Sequence, residues 1–191
     1  MSAPTISVEG WDALAEQVRD CRACPELAQT RRSVVVGDAP LGARLLLVGE
    51  APGAAEDERA RPFVGRAGQL LDALLVESGL PREHVAVINV LRCRPPGNRA
   101  PKPAEIAACS HWRQQQTALV DPALTVALGA TAVRTLLGKV PSLAAVRGTV
   151  HERDGRRIVA TYHPSAAIRF GPAGAPMAAL RADLAWAVSL L

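Results

Sequence analysis

Four short apolar runs most constrain the fold: RLLLV (44–48), HVAVINV (84–90), ALTVALG (123–129) and IVATY (158–162). Each is shorter than an ordinary helix and rich in Val, Ile or Leu, which predicts buried strands. Between and around them lie segments of helical spacing: WDALAEQVRD, AGQLLDALLVESG ending at Gly79, AEIAACSHWRQQQTALV, TAVRTLLG and PMAALRADLAWAVSLL. Strands alternating with helices predict an α/β fold with a parallel, helix-covered sheet. Asp154-Gly155 within HERDGRRIVA predicts a hairpin ahead of the last strand. At 191 residues, one domain over 1–191 is expected.

In such sheets ligands sit beyond the carboxyl ends of the strands. Four segments occupy those ends: the stretch after Val48, Asn89, Gly129 and His163. The first, GEAPGAAEDERARPFVGRAG (49–68), concentrates glycine, proline and carboxylates around a lone Phe63. That composition reads as a functional loop rather than a packing element. The topology therefore gathers a loop, an amide and an imidazole around one pocket.

The net charge of +4 suits contact with a polyanion. Aromatics make up only 3% of the chain, too few for extended base stacking along a single strand. MSAPTISVEG has no basic start followed by an apolar stretch, and no run is long enough to span a bilayer, so a cytoplasmic protein without a membrane partner is expected.

Four cysteines occur: Cys21, Cys24, Cys93 and Cys109. In a cytosolic setting thiols stay reduced, which favours a metal site over disulfides. Cys21-x2-Cys24 fits zinc or iron-sulfur alike, and the 16-residue interval from Cys93 to Cys109 lacks the second close pair of most zinc ribbons. Cys93 lies among Arg92, Arg94, Pro95 and Pro96, where no apolar core is expected and basic neighbours would favour thiolates.

Taken in order, Gly49-Glu50-Ala51-Pro52-Gly53, Glu56-Asp57, PFVGRAG, Asn89, CRPPGNRAP, Cys109, ALG, Arg147-Gly148 and His163-Pro164-Ser165 resemble the family-4 uracil-DNA glycosylases. The resemblance runs from Cys21 to about Arg169. It implies a three-layer α/β/α sandwich around a four-stranded parallel sheet, and a 4Fe-4S cluster on Cys21, Cys24, Cys93 and Cys109. It also implies a monofunctional enzyme, expected to act as a monomer on single- or double-stranded uracil-containing DNA. The resemblance further implies that water, not a lysine Schiff base, cleaves the N-glycosidic bond and leaves an abasic site.

Within that resemblance, Phe63 would stack on the extruded base, and Asn89 would accept from uracil N3–H and donate to O4, with further hydrogen bonds fixing its amide. His163 would donate to O2 and stabilise the departing anion. Glu50 would position water and stabilise positive charge on the sugar, with Glu56 and Asp57 as rivals; Glu56 is also a candidate for lining the C5 side of the base. The amides of Ala51 and Gly53 and the Ser165 hydroxyl would bind uracil O2 or flanking phosphates. Arg92, Arg94, Arg99 and Lys102 form a basic loop suited to phosphates, with Arg147 and Arg169 as further contacts. Ala60 stands where family members commonly have glycine, and Ala166 and Ala167 where they have bulkier residues, leaving Ile168 as the wedge and predicting weaker action on duplexes. No histidine lies between Leu91 and Pro103, so free abasic product rather than a covalent adduct is expected.

Overall fold

The computed structural model describes residues 8–191. The described residues open with α1 (Val8–Arg19) and α2 (Pro25–Thr30), then β1 (Leu45–Gly49), α3 (Ala54–Arg59) and α4 (Arg66–Glu77). β2 (Val85–Asn89), α5 (Pro103–Val120), β3 (Leu124–Leu128), α6 (Ala130–Leu137) and α7 (Leu143–Val146) follow. β4 (His151–Arg153), β5 (Arg156–Thr161), α8 (Pro164–Phe170) and α9 (Ala175–Ser189) complete the order.

The sheet order is β2-β1-β3-β5-β4. Four strands are parallel, with Leu45 opposite both Val85 and Leu124 and with Thr125 opposite Ile158. β4 is a fifth, antiparallel strand on the edge, so the four-stranded parallel sheet of the sequence reading is extended by one. Its physical origin is the expected hairpin: Asp154 and Gly155 have φ of 51° and 72°, the left-handed pair a tight type I′ turn requires.

β1, β2 and β3 are buried along their whole lengths, which explains their unbroken apolar character. Leu45, Leu47, Val87, Val126 and Val159 pack against Leu71, Leu74 and Leu75 of α4, Ala167 of α8 and Leu180 and Leu184 of α9. The spacing of those helical residues places them on one face of each helix. On the other side, Leu46, Val48, Ile88, Ala127 and Ala160 meet Val120, Ala132, Val133 and Val146 of α5, α6 and α7. Three layers result. A separate apolar cluster joins α1 and α2 to Val34, Val36, Leu91, Cys93 and Cys109.

The segment 49–68 is not simply a loop. It contains the turn and a half of α3, buries Asp57 and sends the Phe63 ring into the core. Asp57 accepts from the backbone N–H groups of Arg32 and Ser33 at 3.0 and 3.1 Å and is thereby a fastener for the chain leading into β1.

Candidate active site and cysteine cavity

A cavity of about 550 Å³ opens at the carboxyl ends of the strands. It is lined by the polar groups Glu50, Asn89 and His163, and by Phe63, Tyr162 and Arg169 among others. That volume falls in the range of small-ligand pockets. The order of the strands explains the convergence: β2 and β3 flank β1 on opposite sides, so the crevice lies where the winding reverses. Ala51, Gly53, Glu56, Arg99 and Ser165 also line it. Arg94, Lys102, Arg147 and Ile168 do not.

Asn89 ends β2, is 3% exposed, and its Oδ1 has no hydrogen-bond partner among the described residues. A buried acceptor left empty is costly unless a ligand supplies the donor. The hydrogen bonds expected to fix this amide are not found among the described residues; close packing confines it instead. A Cβ on Gly49 would overlap Asn89 Oδ1 and lie 2.6 Å from the Phe63 ring, so glycine is what allows amide and ring to meet beside β1.

His163 caps α8. Its Nδ1 accepts from the Ser165 N–H at 3.2 Å and stands 2.8 Å from the Ser165 hydroxyl. A backbone N–H can only donate, so the proton of the neutral ring resides on Nε2. Burial pulls the His163 pKa below its ordinary 6.5, against the opposing pull of Glu50 and Glu56. The ring is thus a neutral donor. Ser165 is engaged with this ring rather than held open for phosphate. The Phe63 ring lies 5.6 Å from the imidazole, centre to centre.

Glu50 follows β1, and one of its oxygens accepts from Thr131 Oγ1 at 2.5 Å across the β1–β3 crevice. Thr131 belongs to the first turn of α6, where a carboxylate is favoured by the helix dipole. Glu56 has another task. Its Oε1 accepts from Val64 and Gly65 N–H at 2.9 and 2.8 Å, and its Oε2 from Gly53 N–H at 3.1 Å. The Gly53 amide, expected to face uracil or phosphate, is therefore already committed. The clamp holds Phe63 at φ 52°, a left-handed conformation costing an ordinary residue about 1–2 kcal/mol.

The expected phosphate contacts divide. Arg99 forms a two-pronged pair with Glu105 at 2.6 and 3.0 Å and also reaches Glu26, and Lys102 pairs with Glu26 as well. These cations tie α5 to α2. Arg147 likewise gives its guanidinium to Asp183 at 2.6 and 2.9 Å and lies over the Tyr162 ring. Arg94 bonds Asn98 Oδ1 at 2.8 Å. Arg169 is exposed at the cavity rim and has no carboxylate partner among the described residues. Ile168 is only partly exposed, whereas Phe170 at the end of α8 is 64% exposed.

Cys21, Cys24, Cys93 and Cys109 are free thiols that line one second cavity, together with Leu27, Arg31, Leu91, Arg92 and Trp112. Among the described residues no three metal-binding side chains are grouped around a single point. Cys93 and Cys109 are buried in an apolar cluster, contrary to the expectation of none there. Arg31 Nη1 donates to Cys93 Sγ at 2.9 Å, yet burial outweighs it and pushes the Cys93 thiol up to about 11. The expected effect of basic neighbours is therefore reversed by desolvation. Such sulfurs become thiolates only when a cation shares them.

The family model described as the uracil DNA glycosylase superfamily matches residues 36–185. The chain belongs to that superfamily. A Type-4 uracil-DNA glycosylase of Thermotoga maritima is 47% identical over 163 residues, covering 84% of both chains. One of Pyrobaculum aerophilum is 40% identical, covering 82% of this chain and 83% of its own. A Type-5 enzyme of Thermus thermophilus is 33% identical and covers 81% of this chain and 86% of its own.

Three residues of this superfamily member escape sequence reading. Thr131 looks like an ordinary first-turn threonine, and only the Gly129 strand end hinted that β3 feeds the pocket. Tyr162 lines the cavity beside His163 without belonging to any polar motif. Arg92, expected in a basic loop suited to phosphates, is instead 1% exposed and bonded to Asn89 O and to Gln116.

Proposed function

We propose that this chain excises uracil from DNA, with the buried, unpartnered Asn89 Oδ1 beside a neutral His163 as the observation that carries the reading. Uracil N3–H is the donor that Oδ1 lacks. Cytosine presents an acceptor at N3 and would leave two lone pairs facing each other, which is rejection by an unpaired buried group.

The base reaches the pocket by leaving the helix stack. Phe63 offers it a face, worth about 1–3 kcal/mol for base-aromatic stacking. His163 Nε2–H then donates to O2 as negative charge collects there, an interaction that strengthens toward the transition state and so lowers the barrier. A protonated ring would be an acid; the neutral one is a dipole that returns the uracil anion without proton transfer. Glu50 has one oxygen occupied by Thr131 and one left for water, which it orients toward the sugar carbon while its charge stabilises the developing cation. Water is the nucleophile and an abasic site remains.

The four cysteines would hold a 4Fe-4S cluster. All four line one cavity, as four thiolate ligands of one group would. Bound there, it would staple the segment between α1 and α2 to the residues after β2 and to α5.

The test is release of free base from a single-stranded oligonucleotide containing one uracil, with thymine and cytosine strands as controls. Uracil alone should be released, leaving an alkali-labile strand and no heat-stable protein adduct. Release from the cytosine strand, or binding without release, would contradict the reading. Purified protein should be yellow-brown and contain iron; zinc in place of iron would remove the cluster.

A further inference from the structure

A buried cation links the two cavities. Arg92 is 1% exposed and lines the cysteine cavity, and among the described residues no carboxylate pairs with it. Its side chain folds back so that Nη1 donates to the backbone carbonyl of Asn89. Nε donates to Gln116 Oε1 at 2.7 Å, and Gln116 Nε2 donates in turn to Val36 O at 2.7 Å. Gln116 is itself 0% exposed, so both hydrogen bonds that hold the guanidinium are buried. Nη2 is left without a partner among the described residues.

An unpaired buried charge is unfavourable, and the uncompensated arginine needs an anion nearby. The group proposed for this cavity, a thiolate-held cluster, would supply that anion, with sulfur atoms as acceptors. The same guanidinium grips the carbonyl of the residue whose amide faces the base.

We propose that Arg92 is a positioning residue through which the filled cysteine cavity fixes Asn89 for uracil. The inference rests on the reading of Asn89 and of the cluster given above. A cluster held there would offer Nη2 a sulfur acceptor and a compensating negative charge, keeping the guanidinium, and the Asn89 carbonyl it holds, in place at the end of β2. With the cluster removed, the cation is uncompensated and its grip on the carbonyl loosens.

Free uracil is the probe. Its dissociation constant is measured for the wild type and for Arg92→Met, each iron-loaded and after removal of iron by chelator, with iron content and circular dichroism recorded on every sample. Loss of iron should weaken uracil binding about tenfold in the wild type. Arg92→Met should weaken it comparably with iron retained, and removing iron from that variant should add little. Equal losses on iron removal with and without Arg92, or wild-type uracil affinity in iron-loaded Arg92→Met, would overturn the linkage.

Where the stripped chain unfolds, the linkage is read in the other direction on intact wild type and on Arg92→Lys. Saturating uracil should shift the visible absorption of the wild-type cluster and shift it less in Arg92→Lys; no shift in the wild type overturns the proposal. Uracil release, assayed on the same samples, separates the two levels. Additive losses with release intact refute only the linkage, whereas iron-loaded wild type that releases no uracil refutes the functional reading and the linkage together.

Discussion

Among the described residues the base pocket has one buried polar atom without a partner and the cysteine cavity has two, Arg92 Nη2 and Trp112 Nε1, and the needs on the two sides are opposite. Asn89 Oδ1 lacks a donor, and Arg92 Nη2 lacks an acceptor. The pocket is made from strand ends whose positions follow from the sheet itself, and Gly49 lets the amide and the Phe63 ring pack against β1. The cavity is made from segments remote in sequence, α1–α2, the residues after β2, and α5, held together by Arg99, Lys102 and Glu26. On the proposed reading, one region is a recognition surface that a substrate would complete. The other is a joint that a resident group would complete. An orphaned polar atom restricts its ligand by sign: Asn89 Oδ1 calls for a donor, and the Arg92 guanidinium for an acceptor bearing negative charge.

The strongest way to break this contrast lies in the pocket. His163→Ala should lower the rate of uracil release about a hundred- to a thousandfold, the usual loss for one preorganised donor to a developing oxyanion. Affinity for uracil-containing DNA should barely change, because the contact strengthens only as charge moves onto the base. Single-turnover release and equilibrium binding measured together decide it; equal losses in both would make His163 a binding residue.

A smaller effect tests the support behind Glu50. Thr131→Val removes the hydroxyl that bonds this carboxylate while keeping the shape of the side chain. A hydrogen bond to a charged group contributes roughly 1.5–3 kcal/mol, so kcat should fall about 10- to 100-fold with KM and thermal stability retained. Thr131→Ser should restore most of the rate. A Thr131→Val enzyme that loses stability rather than kcat would show a packing role only.

How much of this was legible in the sequence depends on the distance over which partners meet. Strands, their carboxyl-end residues and the Asp154-Gly155 turn follow from local composition and periodicity, so the convergence of Asn89 and His163 could be read directly. The edge strand β4 could not be separated from its hairpin. Arg147 and Asp183 are 36 residues apart, and Arg92 and Gln116 are 24 apart, so nothing local distinguishes these arginines from solvated ones. Glu56 was legible as a carboxylate of the opening loop but not as the clamp on Phe63, because its partners Val64 and Gly65 offer only backbone amides.

A pH profile sharpens the assignment of the imidazole. Because burial lowers the His163 pKa from 6.5, the neutral Nε2–H form persists as pH falls through that value. Uracil release should stay level from pH 8 through 6.5 and decline only at lower pH. The sign for stability is the same: the unfolded chain takes up the proton first, so the folded state loses stability as pH falls from 6.5 toward the lower folded value. A midpoint above 6.5 in the pH-rate profile would contradict a desolvated ring, and His163→Gln should remove this component of the acid limb.

The smallest expected effect distinguishes free cations from cations already used by the cysteine side of the molecule. Each phosphate contact formed by a cation releases counterions, so losing one should reduce the slope of log affinity against log salt by about one. Arg169, exposed at the rim and without a carboxylate partner among the described residues, has its charge available for this. Arg99 is balanced by Glu105 and Glu26, which hold its proton more tightly and its guanidinium in place. Arg169→Gln should therefore flatten the salt dependence of DNA binding, while Arg99→Gln should leave the slope nearly unchanged and instead loosen the joint between α2 and α5. That second change is read as faster loss of iron to a chelator. The reverse pattern, a flatter slope with Arg99→Gln and an unchanged one with Arg169→Gln, would place the phosphate path over the cysteine joint rather than along the rim of the pocket.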